Sequence, residues 1–543
     1  MLGEKRIDTP VLIVGAGPVG LALAGDLGWR GIPSIVIEKT NGTIFQARQD
    51  LVGIRTMEFC RRWGIVKDVE RSPYPRDYPQ DNIYIAGNLV NGWEIGRYKA
   101  PSMDQEKPPE QSPQKRERCP QNMFDPILKK FALTSKNSKI LYNHQFCFLE
   151  HLSNGIRINV EDTNQKRKIK IFSRYLVGCD GFGSQVREML NIKMLGKPAL
   201  TYTTNIIFRF NGFEKLHTKP PGYRFIFLKP GGVWATIVAI NGRDQWRMSI
   251  VNSSEQPGDL SREEIHKAIA EVVGVPFGYE ILSILPWTRR ELVADKYNVG
   301  NVFIAGDAAH VMSPTGGFGM NTGIGDIVDL SWKISATLKA WGGSSLMDSY
   351  VVERQPVAFR NVTEASGNLN RMLSKKDHPA FFDKTVEGAK ARKSIGQKIY
   401  KQMQREWETL GIHLGYRYEN SPICVSDGTP DIPDNHAQYI QTSRPGSRAP
   451  HVWLKDGRST LDLFGSSFVL LCLGENVPKP DPFFKAAKSC NLPLKILHLK
   501  EKKVCLAYQS RLVLVRPDGH VAWRGDNLPK NSKKVIDTVR GAL

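Results

Sequence analysis

The strongest constraint on this chain is a glycine turn set between two β-like runs. Residues 11–14 (VLIV) form a short β-branched apolar run, as in a strand buried on both faces of a parallel sheet. Gly15-Ala16-Gly17-Pro18-Val19-Gly20 follows at once. A helical pattern (LALAGDLGWRG) comes next, then IPSIVIEK, a second strand ending in Glu38 and Lys39. In a βαβ unit of this kind Gly15 permits the tight turn. Gly17 lets backbone N–H groups reach a pyrophosphate, and Gly20 lets the helix pack close to the strand. The helix N-terminus adds partial positive charge toward a diphosphate. Glu38 stands 18 residues after Gly20, where an acid binds ribose hydroxyls. Strand, turn, helix, strand and acid together point to a dinucleotide with an unphosphorylated adenosine ribose, as in FAD or NAD.

Two further motifs follow. Tyr175 to Gly181 (YLVGCDG) places Asp180 after a β-like run, with Ser184 and Arg187 beyond it. Asn301 to His310 (NVFIAGDAAH) continues as VMSPTGGFGMNTGIGDIVDLSWK. Asp307 lies at the C-terminal end of a buried strand, the ligand edge of such a sheet, although an Asp there also serves as a helix cap. Gly316, Gly317 and Gly319 let backbone approach a flat ligand. A helix beginning near Asn321 would aim N–H groups at a polarised oxygen. His310 reads as a packed, hydrogen-bonded histidine rather than a base.

Elsewhere the chain reads as separate units. Residues 98–118 are rich in Pro, Gln and charge and read as an exposed loop. Segments within 202–251 are short aromatic and β-branched runs between Gly/Asn/Asp turns, as in an antiparallel sheet. A helical pattern runs from about 322 to 340. Residues 361–411 read as helical, and 419–450 as a linker. The last hundred residues carry their own strand–helix–strand pattern.

Composition matters mainly through charge. The 75 Lys+Arg exceed the 54 Asp+Glu by 21, which favours an anionic partner: nucleic acid, an acidic membrane or a phosphate-bearing ligand. The basic clusters at Lys166–Lys170 and Lys500–Lys503 read as solvated faces, and no nucleic-acid motif accompanies them. No apolar run reaches the ~18 residues of a membrane span, and no signal peptide is evident, so a cytoplasmic protein is expected. The eight scattered cysteines include no CxxC and no metal spacing, so free thiols and no metal site are expected.

The order of the three motifs resembles the single-component flavoprotein monooxygenases of the p-hydroxybenzoate hydroxylase fold. It is most similar to the larger phenol, chlorophenol and polyketide hydroxylases. The resemblance covers essentially the whole chain. ARQDLVGIRTMEFCRRWGI and RCPQNMFDPIL resemble segments beside the flavin and substrate, and LGYRYENSP and LVLVRPDGHVAWR resemble stretches of the larger members. The implied fold is α/β: a Rossmann-like FAD-binding domain with an inserted antiparallel-sheet substrate domain, plus a C-terminal thioredoxin-like α/β domain. Residues 1–98, 119–195 and 286–360 would form the FAD-binding domain and 196–285 the substrate sheet. Residues 361–440 would form a helical connection and linker, and 441–543 the thioredoxin-like tail. Without a CxxC that tail would be structural, for instance in a homodimer contact.

The resemblance also implies site residues. Glu38 and Lys39 would meet the adenosine ribose, and Arg48 and Gln121 the ribityl–diphosphate region. Asp307 would hydrogen-bond ribityl or ribose hydroxyls, and Asp180 would serve the dinucleotides. Pro314, Gly319, Met320 and Asn321 would border the isoalloxazine. NADPH or NADH would bind transiently and reduce the FAD, and a small aromatic substrate would be hydroxylated with O2 through a flavin C4a-hydroperoxide. Asp50 is the expected base, deprotonating the phenol with a pKa raised by an apolar pocket. The alternative for Asp50 is a turn, cap or ion-pair role. Tyr223, Phe225, Trp234 and Trp246 are candidates to line a flat pocket, although strand alternation puts only half of them there and the register is open. Competing readings are Baeyer–Villiger insertion or epoxidation on a polyketide, and a non-catalytic flavin-binding redox sensor.

Overall fold

The computed structural model describes residues 5–44, 50–136, 138–252, 260–374 and 378–543. Two eight-stranded sheets and a four-stranded sheet organise the chain. In the first sheet, the Lys5–Val14 strand pairs in parallel with Ser34–Glu38 on one side and Arg167–Gly178 on the other. The Val302–Ile304 strand adds in parallel beyond Gly178. Val11, Leu12 and Ile13 are fully buried, as the apolar run requires. Parallel pairing brings the C-terminal ends of these strands to one edge, where Gly15, Glu38, Cys179 and Ala305 begin the connecting turns.

The second sheet runs in the order 310–311, 280–294, 194–209, 245–252, 232–239, 224–229, 82–86, 93–98. It is antiparallel except where Arg224–Lys229 lies parallel to Asn82–Ala86. The sequence places residues 1–98 and 286–360 with the FAD-binding unit. The structure instead joins Asn82–Ala86, Trp93–Tyr98 and the whole Glu280–Ala294 strand to the substrate-side sheet. Glu280–Ala294 is one continuous strand that pairs along nearly all of Met194–Arg209, so no break falls at 286.

The third sheet has the order 494–499, 468–473, 512–515, 521–525, with helices Asp481–Lys488, Lys502–Tyr508 and Ser532–Val539. This β-α-β-α-β-β-α succession is a thioredoxin-like arrangement. All eight cysteines are free thiols.

Two stretches read as exposed or linking are packed instead. Within 98–118, Ser102, Met103, Ser112, Gln114, Glu117 and Arg118 are buried. Ser112 donates to Glu58, and Arg76 pairs with Glu117 at 2.9 Å. The 419–450 segment has neither helix nor strand, yet Ile423 packs in the core of the tail, and Ser443, Ser447, Arg448 and Ala449 are buried. In both stretches side-chain and backbone hydrogen bonds replace regular structure.

The tail is fastened to the rest by buried charge. Helix Gly319–Leu338 carries Asp326, Asp329 and Lys333, all buried. Lys333 donates to Asp329 and to Glu353, each at 2.6 Å, and Arg516 of the tail pairs with Glu353 and with Asp329 at 3.1 Å. Against the upward push of burial, Arg516 and Lys333 hold the Glu353 carboxyl far below the usual range. Breaking a buried pair by removing one partner costs about 3–5 kcal/mol. Arg516→Met should therefore lower stability by about that amount, read as a fall in unfolding temperature of the full-length protein. Wild-type stability in this variant would show that the network does not stabilise the fold.

Candidate active site

The four strand ends of the first sheet and one face of the second open into a single cavity of about 1410 Å3. Single-ligand pockets run to roughly 1,000 Å3, so this one has room for a dinucleotide and a further ring. Gly15, Gly17, Pro18, Glu38, Lys39, Gln121, Asp180 and Asp307 line one end. Pro314, Gly319 and Met320 line the middle, and Tyr223 and Asp50 stand toward the sheet.

The turn at the first end is fixed by contact. Gly15 has φ +104°, and a Cβ there would lie 2.4 Å from the Cys179 carbonyl oxygen. A Cβ on Gly20 would lie 2.0 Å from the Gly15 carbonyl oxygen. Over Gly17, by contrast, there is open space. Glu38 accepts from the Ala16 N–H at 2.9 Å and from the Thr40 N–H at 3.0 Å, so it also ties the two turns together. Asp125 Oδ2 accepts from Gln121 at 3.2 Å and Asp180 Oδ2 from the Val186 N–H at 3.2 Å. The remaining oxygen of each is buried without a partner among the described residues. Burial raises both carboxyls, Asp125 to about 7. The two orphan acceptors suit the hydroxyls of FAD, and the N–H groups of the open glycine turn suit its diphosphate. Arg48 lies outside the described residues.

The middle of the cavity is a glycine turn running into a helix. Gly316 and Gly317 have φ of +93° and +71°. The helix starts at Gly319, and its first ladder bond runs from the Thr322 N–H to the Phe318 carbonyl. The N–H groups of Gly319, Met320 and Asn321 precede that ladder and carry the positive end of the helix dipole. The Asn321 side chain is a brace. Its Oδ1 accepts from the Gly53 N–H at 2.8 Å and Thr56 at 2.7 Å, and its Nδ2 donates to the Leu51 and Gly317 carbonyls. His310 is fully buried and bonded to Asp326 at 2.7 Å.

The sheet side shows which candidates alternation selects. Trp246, Met248 and Ile250 point into the sheet's own core, and Arg247 and Ser249 between them face the cavity. Trp246 stacks on Phe213 with ring centroids 4.1 Å apart, and Phe225 packs in the same core. Trp234 packs against that core with Lys229 over its ring. Phe225, Trp234 and Trp246 therefore do not line the cavity, and of the four expected pocket residues only Tyr223 does.

Asp50 is also differently placed from the expectation. Its carboxylate pairs with Arg118 at 2.7 Å and accepts the Tyr223 hydroxyl. The Arg118 guanidinium lies 3.8 Å from the Tyr223 ring centroid. Burial acts to raise this carboxyl, but the charges of Arg118 and Arg247 outweigh it and hold Asp50 below the ordinary carboxylate range. The expected raised pKa is overturned, because two guanidinium groups replace the apolar pocket that expectation assumes.

Several lining residues escape the motifs altogether. Arg247, Arg289 and Trp287 come from strands, and Glu406 and Trp407 from the end of helix Val386–Trp407, while Arg118 opens the RCPQNMFDPIL stretch, which does not single it out. Glu406 holds Arg224 through two bonds of 3.0 and 2.9 Å, so this helix caps the cavity. The alternation W-R-M-S-I at 246–250 is the signal that marks Arg247 and Ser249. Nothing local marks Trp407.

Known proteins agree with this geometry. The FAD binding domain family matches residues 8–365, and the aromatic-ring hydroxylase C-terminal family matches 442–542. The chain is 28% identical to tetracenomycin B2 monooxygenase-dioxygenase of Streptomyces olivaceus, over 98% of each chain. It is 27% identical to 2,4-dichlorophenol 6-monooxygenase of Cupriavidus pinatubonensis, over 97% of this chain and 94% of that one. Among solved structures, the rebeccamycin biosynthetic enzyme RebC with reduced flavin superposes with a TM-score of 0.91 at 34% identity, over 99% of this chain and 100% of that chain. With its dinucleotide turn, its glycine-edged middle and its thioredoxin-like tail all falling within these matches, the chain belongs to the FAD-dependent aromatic-ring hydroxylases.

Proposed function

We propose that this protein hydroxylates a phenolic or polycyclic aromatic substrate, using FAD, a nicotinamide nucleotide and O2. The observation that carries the reading is the placement of the Tyr223–Asp50–Arg118 cluster in the same cavity as the Pro314–Met320 turn. Bound FAD supplies the activation of O2 and accepts the hydride from the nucleotide. The protein's own groups do the rest. The Gly15–Gly20 turn and the orphan oxygens of Asp125 and Asp180 hold the dinucleotide. The N–H groups of Gly319, Met320 and Asn321 offer partial positive charge to a reduced, anionic flavin edge.

Tyr223 is the group placed to meet the substrate hydroxyl. Its own hydroxyl already donates to Asp50, so its oxygen is free to accept. As the substrate O–H gives its proton to the Tyr223 oxygen, the Tyr223 proton moves to Asp50 Oδ2, and the substrate oxygen becomes the phenolate that activates the ring. Arg118 and Arg247 keep Asp50 ionised before that transfer. Asp50 is thus a proton acceptor acting through Tyr223, and not a base in an apolar pocket.

Three measurements check this reading. NADPH and NADH oxidation by the FAD-loaded enzyme, screened against a panel of phenols with product mass, should reveal a substrate that accelerates oxidation and gains a hydroxyl. A yellow protein that no phenol stimulates would contradict it. Asp50→Asn and Tyr223→Phe should each lower the hydroxylation rate by about 100-fold, the lower part of the usual range for proton transfer, with FAD content unchanged. An undiminished rate in Tyr223→Phe would remove the relay.

The third concerns pH. Asp125 titrates near 7 in the folded protein, against about 3.9 in an unfolded chain. The folded state therefore holds a proton that the unfolded state has lost across that interval, so stability falls as pH rises from about 4 to 7. Asp125→Asn should flatten this part of the apoprotein's stability profile in thermal unfolding. A profile identical to wild type would show that Asp125 does not titrate there.

A further inference from the structure

Arg118 brings positive charge next to Asp50, and three contacts fix where that charge stands. Its Nη1 donates to Asp50 Oδ1 at 2.7 Å, its guanidinium covers the Tyr223 ring, and its Nε donates to Gln80 Oε1 at 2.9 Å. The residue belongs to the two-residue strand Glu117–Arg118, paired with Leu51–Val52 directly after Asp50. So short a ribbon holds the backbone only locally, and the long side chain depends on its own contacts for its position. Gln80 supplies the contact at Nε from outside the cavity lining, and no motif marks it. It is 2% exposed and lies two residues before strand Asn82–Ala86.

The Gln80 amide has only one workable orientation. Its Nε2 donates to the Tyr78 carbonyl at 2.9 Å and to the Tyr74 hydroxyl at 3.0 Å. A backbone carbonyl only accepts, so the amide nitrogen must face it, and Oε1 is left for Arg118. Turning the amide round would set N–H against N–H at Arg118 and oxygen against oxygen at Tyr78, among residues that are all buried. The Gln80 backbone carbonyl accepts from Asn82 Nδ2 at 3.2 Å, and the Tyr78 hydroxyl donates to the Gly222 carbonyl beside Tyr223. Gln80 is neutral. It satisfies the Nε–H of Arg118 and takes none of the charge, which stays directed at Asp50. Among the described residues, the charged and titratable groups around Asp50 are Arg118, Arg247 from the sheet, and the Tyr223 and Tyr74 hydroxyls.

We infer that Gln80 is a positioning residue of the proton relay: its amide oxygen holds Arg118 against Asp50 and Tyr223, and this sets how strongly the cluster favours negative charge. The inference rests on the reading of Tyr223 and Asp50 as the groups that meet a phenol, and adds to that reading a residue that does not touch the substrate. The positive charge of Arg118 stabilises a negative charge anywhere in the cluster, on Asp50 or on a bound phenolate. With its Nε released, the guanidinium keeps its charge and loses its fixed place. A phenol bound at Tyr223 then ionises at higher pH.

The test is the ionisation of 4-nitrophenol bound to the FAD-loaded enzyme, read as phenolate absorbance in difference spectra across pH. Gln80→Met is close to glutamine in size and makes no bond to Arg118. It should raise the midpoint by about one pH unit, the lower end of what an adjacent arginine does to an acid, with FAD content unchanged. Gln80→Asn keeps an amide drawn back by one methylene. It should shift the midpoint in the same direction, which keeps the test decisive if the methionine variant does not fold. In an Arg118→Lys background, which keeps the charge and has no N–H at the Nε position, Gln80→Met should add no shift. A wild-type midpoint in either folded Gln80 variant overturns the inference. So does a Gln80→Met shift as large in Arg118→Lys as in the wild type, because Gln80 would then act without Arg118. The two readings fail separately. An unshifted midpoint in an enzyme that hydroxylates phenols sinks the role of Gln80 alone. A shifted midpoint with no oxygenated product from any phenol sinks the hydroxylase reading alone. No saturable binding of 4-nitrophenol to the wild type sinks both.

Discussion

The structure depends on charged groups placed where no water reaches. Helix Gly319–Leu338 begins at the Gly316–Gly317 turn in the cavity and is buried along most of its length. Asp326 on it accepts from the Gly306 N–H at 3.2 Å, from His310 at 2.7 Å and from Arg354 at 2.9 Å. One turn further on, Asp329 and Lys333 meet Glu353 and the tail's Arg516. A single helix thus connects the strand end bearing Asp307, the glycine turn in the middle of the cavity and the thioredoxin-like tail. Buried ion pairs are weak evidence for stability, because desolvation offsets much of their attraction. Their effect here is positional: each partner comes from a different element, and an error in packing would leave a charge unpaired.

A second clamp works from the other side. Glu58 is bonded to Arg55 at 2.7 Å and to Arg448, and these arginines and Ser112 hold its carboxyl down to about 2 despite burial. Arg55 also donates to the Asp518 carbonyl at 3.2 Å. The tail therefore grips the segment that carries Asp50 a few residues before Arg55. Its visible role in this chain is to hold the active-site elements of the same chain in register.

The dinucleotide end of the cavity was legible from local spacing, because a tight turn, a close backbone approach and a strand-ending acid all act within a few dozen residues. The Gly15–Gly20 turn, Glu38, Asp180 and Asp307 lie together as those spacings imply. The substrate end was less legible, because it is built by register between strands far apart in the chain. Arg289 reaches its position through pairing with Thr201, and Glu406 through a helix that returns over the sheet. The aromatic residues misled for a related reason. Large rings such as Trp246 and Phe225 fill the sheet's own core, and the cavity face carries Arg247, Ser249, Thr236 and Asn205 beside Tyr223 and Trp287. The sign of the Asp50 shift depends on Arg118, 68 residues away, and no local reading supplies that partner.

The large positive charge now has a partial cause. Some of it is internal, in arginines that brace Asp50 and Glu406 or clamp Glu58 and Glu353. The rest belongs to the solvated surface. The proposed function requires this cavity to transfer one oxygen atom of O2 to an aromatic ring. Turnover of a stimulating phenol under 18O2 tests it most directly. One 18O atom is expected in the new hydroxyl of the product. A product oxygen drawn from water, or nucleotide oxidation that yields only peroxide, would contradict it.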